Sequence, residues 1–269
     1  MGRTLTYPKR SANTVNRYKH RATYDLEAIH SIVNVAPVLH VSLTDPSEPF
    51  PVTLPMIGHM GDFHHPSSGL DEPLDIYMHG YVSSRLMNEA RSAAASSPEG
   101  GLPVSICATM VDGIVLTLTP NSHNYNYRSA VIQGYAQPVD DDEERLYAME
   151  LITNSVVTDR WRHSRVPPDN AEMQSTTILR VKVVSASGKI RDGGVTDLKK
   201  DYENEEVTAR VWTGVIPIWQ TMGEPVPSEG NQVAPVPEHV TSYIRRRNEE
   251  SERYAKHAVT VPLPKEEIH

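Results

Sequence analysis

The sequence predicts a mainly antiparallel β protein with helices inserted between its strands. Three observations carry that prediction. Segments that alternate apolar and polar residues outnumber those with apolar residues three or four apart, so pleated ribbons dominate over helices. Asp112-Gly113 stands between two β-rich runs in VSICATMVDGIVLTLTP, the strongest hairpin signal in the chain. No GxGxxG or GxxxxGK[ST] is present, which removes the usual markers of dinucleotide and nucleotide folds. Strands joined by hairpins favour an antiparallel barrel over a parallel α/β sheet.

Residues 1 to 22 are polar and basic and read as an arm. MGRTLT fits the loose N-myristoylation pattern, and no acidic residue precedes Asp25, as in some transit peptides. Against both addresses, one acyl chain anchors weakly and Pro8 interrupts an amphipathic helix. RATYDLEAIHSIVNVA follows as a helix with Leu26, Ile29, Ile32 and Val33 in one stripe, stopped by Pro37. VLHVSL, PFPVTLPMIGHM and LDIYMHGY are three strands, the last two separated by a loop at residues 58 to 70 rich in Gly, His, Pro and Ser.

IYMHGYVSSRLMNEAR then crosses from strand to helix. Leu74, Ile76 and Met78 share one strand face, and Asp75, Tyr77, His79 and Tyr81 the other. From Ser83 the spacing becomes helical through Leu86, Met87 and Ala90, with Ser83 or Ser84 as the N-cap. The first turn of a helix offers unpaired N–H groups and a positive dipole end. Two hydroxyls and Arg85 beside it suit a phosphate monoester. The competing reading is a plain cap with a solvated arginine.

SSPEGGLP is a loop, YNYRSAVIQGYAQPV a strand, and DDDEERLYAMELITNSVV a helix in which Asp141 and Glu144 form a variant of the capping box. TTILRVKVVSASGKIR closes the β set. Pro-rich loops and short elements lead to a terminal helix, PEHVTSYIRRRNEESERYAKHA. Its Arg245, Arg246 and Arg247 lie within a turn of Glu249, Glu250 and Glu252, the pattern of a solvated helix face and not of a nucleic-acid patch.

Composition narrows the function classes. A 269-residue chain with 38% hydrophobic residues can bury a substantial core. Net charge −8 and a pI near 5.8 argue against a general nucleic-acid binder, which needs a basic surface excess. A single cysteine, Cys107, excludes an intramolecular disulfide, and no long apolar run offers a signal peptide or membrane span. A reducing compartment, the cytoplasm, is the expectation. Cys107 reads as a small buried hydrophobe, and no Ser/His/Asp or Cys/His constellation stands out. His59, His64 and His65 cluster in GHMGDFHH; a loop of exposed imidazoles is favoured over a metal site, which needs three or four converging ligands.

The order of these segments resembles the pyridoxamine 5′-phosphate oxidase-like FMN-binding split-barrel superfamily, and within it the nitroimidazole-resistance (Nim) branch. The resemblance runs from about Arg21 to about Pro227. It rests on RATYDLEAIHSIV, FPVTLPM, IYMHGYVSSRLM, YNYRSAVIQGYAQPVDDDEE, GKIRDGG and VWTGVIPI. It implies a split β-barrel of antiparallel, Greek-key type over residues 23–227, after the arm at 1–22 and before a helical extension at 228–269.

The resemblance also implies a site. Ser83, Ser84 and Arg85 take the FMN phosphate, backbone around Pro55 and Met56 lines the flavin ring, and Tyr127, Arg128 and Ser129 face the cofactor. His79 is the catalytic candidate and also contacts the cofactor. Relatives are homodimers with FMN between subunits, which makes Trp161 the candidate contribution from a partner subunit; the competing reading of Trp161 is a core anchor. Two departures stand out. The chain ends AVTVPLPKEEIH without the Arg- and Pro-containing substrate motif of true pyridoxamine-phosphate oxidases, and Ser84-Arg85 stands where Nim-like proteins often carry Gly-Lys. Arginine brings a planar fork in place of a point charge.

The expected function is FMN-dependent oxidation or reduction of a small aromatic or nitro compound, the flavin carrying the electrons. Relatives on this scaffold also bind haem through an axial histidine, so haem is the alternative cofactor, with His79 or one of the clustered histidines as ligand. A flavin-binding module without turnover is the third reading. A deazaflavin stays open, because a fold does not discriminate ring systems.

Overall fold

The computed structural model describes residues 4–45, 47–97 and 100–264. The start of MGRTLT, two residues of SSPEGGLP and the terminal KEEIH lie outside them. In chain order the elements are β1 (Ala22–Thr23), α1 (Leu26–Val35), β2 (Leu39–Leu43), β3 (Val52–Met56), β4 (Gly58–Gly61), β5 (Asp75–Tyr81) and α2 (Arg85–Ser96). Then come β6 (Leu102–Leu116), β7 (Asn124–Pro138), α3 (Asp142–Val156), α4 (Asn170–Ser175) and β8 (Thr176–Arg191). α5 (Lys199–Tyr202), α6 (Glu205–Arg210), β9 (Gly214–Pro217) and α7 (Glu238–Thr260) complete the chain.

The strands form one sheet in the order β3-β2-β6-β7-β8-β5-β4, with β1 on β8 and β9 on β6. Every described register is antiparallel. The sheet is not closed: β3 and β4 are the two ends of its path, yet only Ile57 separates them in sequence. The chain thus steps from one sheet end to the other in a single residue while no ladder joins them.

Two compact units share the long strands. The first holds the residues up to Asn16, Thr23–Thr109 and Ser129–Gly188; the second holds Arg17–Ala22, Met110–Arg128 and Lys189–His269.

In the first unit, Asp25 caps α1 by accepting from the Ala28 N–H at 2.9 Å, and Leu26, Ile29, Ile32 and Val33 are buried as the stripe predicts. Each such side chain contributes about 1.5–3 kcal/mol by leaving water. The arm does not stand away from this unit. Leu26 N–H donates to the Leu5 carbonyl and Tyr7 N–H to the Tyr24 carbonyl, while Asn13, nearly buried, donates to the carbonyls of Pro8 and Ala186. His30 is wholly buried, with Nε2 2.6 Å from the Tyr7 hydroxyl and Nδ1 2.7 Å from the Leu70 carbonyl. Burial lowers its pKa, so the ring is neutral, donating from Nδ1 and accepting from Tyr7.

α3 packs on β4 and β5 and covers the face of β5 that carries Tyr77. A second small core results from Tyr77, Val139, Ala148, Ile152 and Ile178, with Phe63 and Tyr147 beside it. Asp141 caps α3 through the Glu144 N–H, but the reciprocal half of the capping box is missing. The Glu144 carboxylate instead accepts from the Tyr77 hydroxyl and from Arg180, both at 2.8 Å. A buried carboxylate needs those donors more than the exposed cap does.

Three sequence expectations are corrected. Asp112-Gly113 is not a turn: β6 runs unbroken through both residues, and the reversal falls at residues 117–123. A type I′ turn needs positive φ at both central residues, and neither has it. Instead Asp112 pairs with Arg128, and Gly113 lies opposite Pro217 of β9. β9 also means that β8 does not close the β set. Finally, the loop read at residues 58–70 begins later, because Gly58–Gly61 pairs with β5 as β4.

In the second unit α7 packs on β9. Arg246 lies 4.0 Å from Glu250 and Lys256 pairs with Glu252, as expected of a solvated face. No helix of the described residues is long and apolar enough to cross a membrane.

Candidate functional site

At the crossing from β5 to α2, two predicted residues, Ser84 and Met56, come near Gly80. A Cβ at that position would lie 2.5 Å from Met87 Cε, 3.7 Å from Ser84 Oγ and 3.8 Å from Met56 Cε. The absence of a Cβ lets the Met87 methyl pack directly over Gly80, with Ser84 Oγ and Met56 Cε on the border of the same spot. Pro55 and Met56 belong to β3, an end strand of the sheet path with a neighbour on one side only.

Ser84 holds the N-cap position with extended backbone, φ −66° and ψ 152°, yet its side chain makes no capping bond. The hydroxyl and the first-turn N–H groups of α2 are thus uncommitted to each other. Ser83 is exposed, and its carbonyl accepts from the Asn88 side chain. Arg85 is exposed and forms an ion pair with Asp45, which a Ser47 turn also holds. The Ser47 hydroxyl and N–H, with help from Arg85, depress the Asp45 carboxyl to about 2. An anion at Arg85 competes with Asp45.

His79 sits at the end of β5, opposite Ile178 and past the end of β4. Its side chain reaches the surface while the surrounding chain displaces water from the ring, lowering its pKa and favouring neutral imidazole. Such a ring can accept a proton or a ligand bond at one nitrogen and donate at the other.

The remaining predicted residues belong to other elements. Ser129 is half-buried on β7 in the first unit. Tyr127 and Arg128 belong to the second unit, where Arg128 grips Asp112 with two bonds and lies over the Tyr254 ring. Trp161 occupies a 3₁₀ turn just past α3, half-buried, its backbone N–H held by Asn154. It is neither a fully buried anchor nor free of its own chain.

The clustered histidines divide. His64 and His65 are exposed around Asp62, with His65 Nδ1 3.0 Å from its carboxylate. His59 is not exposed: it lies on β4 opposite Tyr77, and burial pushes its pKa down to about 4. Among the described residues no group of three His, Cys, Asp or Glu side chains gathers as a metal site. Cys107 is half-buried, and burial raises its thiol pKa, which disfavours a nucleophilic thiolate.

Sequence reasoning missed Asp45, Asp112 and Glu144 as partners of predicted residues. Asp45-Pro46-Ser47 carries a turn signal, but the arginine it meets is 40 residues away.

The sequence profile of the pyridoxamine 5′-phosphate oxidase family matches residues 25–190. No protein of curated function matches. Among solved structures, the flavocytochrome Anf3 from Azotobacter vinelandii superposes with a TM-score of 0.69 at 24% identity, covering 87% of this chain and 97% of that one. The FAD and haem binding protein from Mycobacterium smegmatis gives 0.67 at 22% identity, covering 83% and 97%. A 5-nitroimidazole antibiotic resistance protein from Bacteroides thetaiotaomicron gives 0.46 at 20%, covering 63% and 86%. The first two bear out the split-barrel fold over most of the chain.

Proposed function

Because the chain belongs to the pyridoxamine 5′-phosphate oxidase family, we propose that it is a flavin-binding oxidoreductase that takes FMN and acts on a small aromatic or nitro compound. One observation carries the reading: the start of α2, where the Ser84 side chain makes no capping bond and Arg85 follows, lies beside Gly80, and Met56 of an end strand comes near the same residue. A phosphate accepts from the first-turn N–H groups, the Ser83 and Ser84 hydroxyls and Arg85. Backbone around Pro55 and Met56, at the end of β3, lines the ring. A bound flavin supplies the electron-carrying ring system, and the chain supplies orientation and hydrogen bonds. His79, neutral and near the same crossing, would donate a hydrogen bond to a substrate atom from one ring nitrogen or accept a proton at the other.

A homodimer with the cofactor between subunits completes the reading, with Trp161 reaching the partner's site and the cytoplasm as compartment. A monomer in sedimentation with cofactor fully bound would sink that part of it.

A second reading adds haem or replaces flavin with it. What favours it is that two solved structures covering 87% and 83% of this chain are a flavocytochrome and an FAD and haem binding protein. His79, or one of the clustered histidines, would then hold the iron. The absorption spectrum of protein purified in its native cofactor state decides: flavin bands alone support the first reading, and a Soret band supports the second. Flavin bands without turnover of a nitroaromatic acceptor by reduced nicotinamide would leave a binding module and reject the oxidoreductase.

A further inference from the structure

A groove of about 620 Å³ lies in the first unit where arm residues 10–12 run past β2, β6, β7 and β8. Its volume is that of a site for a small organic molecule. In a chain of net charge −8 the lining holds no Asp or Glu, and its one cation is Arg10. Among the described residues the Arg10 guanidinium has no partner; only its backbone is bonded, N–H to Asn13 Oδ1 at 2.7 Å and carbonyl to the Thr14 hydroxyl. Asn13 is itself nearly buried and fixed to the Pro8 and Ala186 carbonyls, so the turn that presents Arg10 is pre-organised.

The floor supplies polar groups at set positions. Ser185, 1% exposed, donates to Gln133 Oε1 at 2.9 Å, which orients the amide of this groove-lining residue and leaves its NH₂ as a donor. Ser42 and Ser105 stand opposite each other in register across β2 and β6. Tyr135, Pro51 and Pro103 add flat apolar surface. One unpaired cation at the rim, neutral donors on the floor and apolar walls fit a molecule with an anionic end and a planar body.

We propose that this groove binds a small aromatic acid, its carboxylate or phosphate paired with Arg10 and its ring against the proline and tyrosine walls. The inference stands independently of the flavin assignment, because none of its residues belongs to the crossing at α2. Calorimetric titration of the full chain, as purified, with benzoate, phenyl phosphate and neutral benzamide tests it. At least one anion binds, benzamide binds about tenfold or more weakly, and Arg10→Ala removes that preference. Arg10→Lys restores part of it, and Lys9→Ala, one residue outside the groove, leaves it unchanged. Benzoate and phenyl phosphate compared with each other tell which head group the site prefers. Three results overturn the proposal: no binding of either anion at millimolar concentration, equal losses of anion and benzamide in Arg10→Ala, or anion binding unaffected by that variant. A change in sedimentation without a change in anion affinity also overturns it, by making the groove a contact between copies. FMN affinity falling in parallel with anion affinity does so too, by making it part of the cofactor site.

Discussion

Arg128 holds Asp112 with two parallel bonds, Nε to Oδ2 at 2.9 Å and Nη2 to Oδ1 at 2.7 Å, while its guanidinium lies 3.5 Å from the centre of the Tyr254 ring. Neighbouring strands and the terminal helix of the second unit are thereby joined at one cation. The two side chains of the ion pair are 12% and 6% exposed. Removing either alone leaves a poorly solvated charge, a loss of about 3–5 kcal/mol. Arg128→Ala and Asp112→Ala should each lower the unfolding free energy measured by urea titration by that order. The double variant Arg128→Met, Asp112→Leu should lose much less than the sum; strict additivity would show that the pair is not coupled.

The Arg85–Asp45 pair makes the phosphate assignment testable in two directions. Arg85→Ala should weaken FMN binding by about 1.5–3 kcal/mol, the scale of a charge-assisted hydrogen bond. Asp45→Asn should tighten it, because the guanidinium is released and a competing negative charge is removed. Riboflavin, which lacks the phosphate, should respond to neither. Equal responses of FMN and riboflavin in titrations of apoprotein would remove Arg85 from the phosphate site.

His79 separates chemistry from scaffold. On a flavin, His79→Ala should keep FMN affinity within about tenfold, roughly 1.4 kcal/mol, while slowing reduction of a nitroaromatic acceptor about a hundredfold. On haem, the same substitution should shift or abolish the Soret band. Wild-type affinity, spectrum and acceptor reduction together would leave His79 with neither role.

His59 predicts an acid-side loss of stability. Its folded pKa, about 4, lies below the ordinary 6.5, so the neutral ring stabilises the fold above pH 6.5 and that stability is lost as pH falls toward 4. His30 and His79 are lowered as well and act in the same sense. Between pH 7 and pH 5 the wild type should lose about 2 kcal/mol more than His59→Leu. Parallel losses in denaturant titrations at the two pH values would refute a buried neutral ring.

Gly134 lies on β7 where a Cβ would run into the Lys182 carbonyl of β8 and come 2.9 Å from Val181 Cγ1. Backbone cannot swing aside as a side-chain tip can, so Gly134→Ala should cost about 1–3 kcal/mol by forcing the two strands apart. An unchanged melting temperature would mean that the ladder has room to shift.

What the sequence determined by itself is what local chemistry encodes. The stripe of α1 and its Asp25 cap, the period of β5, the change of period at Ser83 and the family-specific order of segments were legible, because each depends on residues a few positions apart. Even there, a local signal failed where tertiary pairing outweighed it. Asp112-Gly113 has the chemistry of a turn, but the chain gains more by running straight through, since Asp112 then meets Arg128 and Gly113 accepts β9 beside it. Glu144 has the spacing of a capping box, yet Tyr77 and Arg180 claim its carboxylate. Arg85 finds Asp45 across 40 residues, and Arg10 finds its groove only because Asn13 ties the arm to Ala186 on β8. These were decisions of the tertiary structure. The reason is physical: a charge in water is indifferent to its sequence neighbours, and its partner is chosen only when folding withdraws the solvent and brings distant segments within hydrogen-bonding reach.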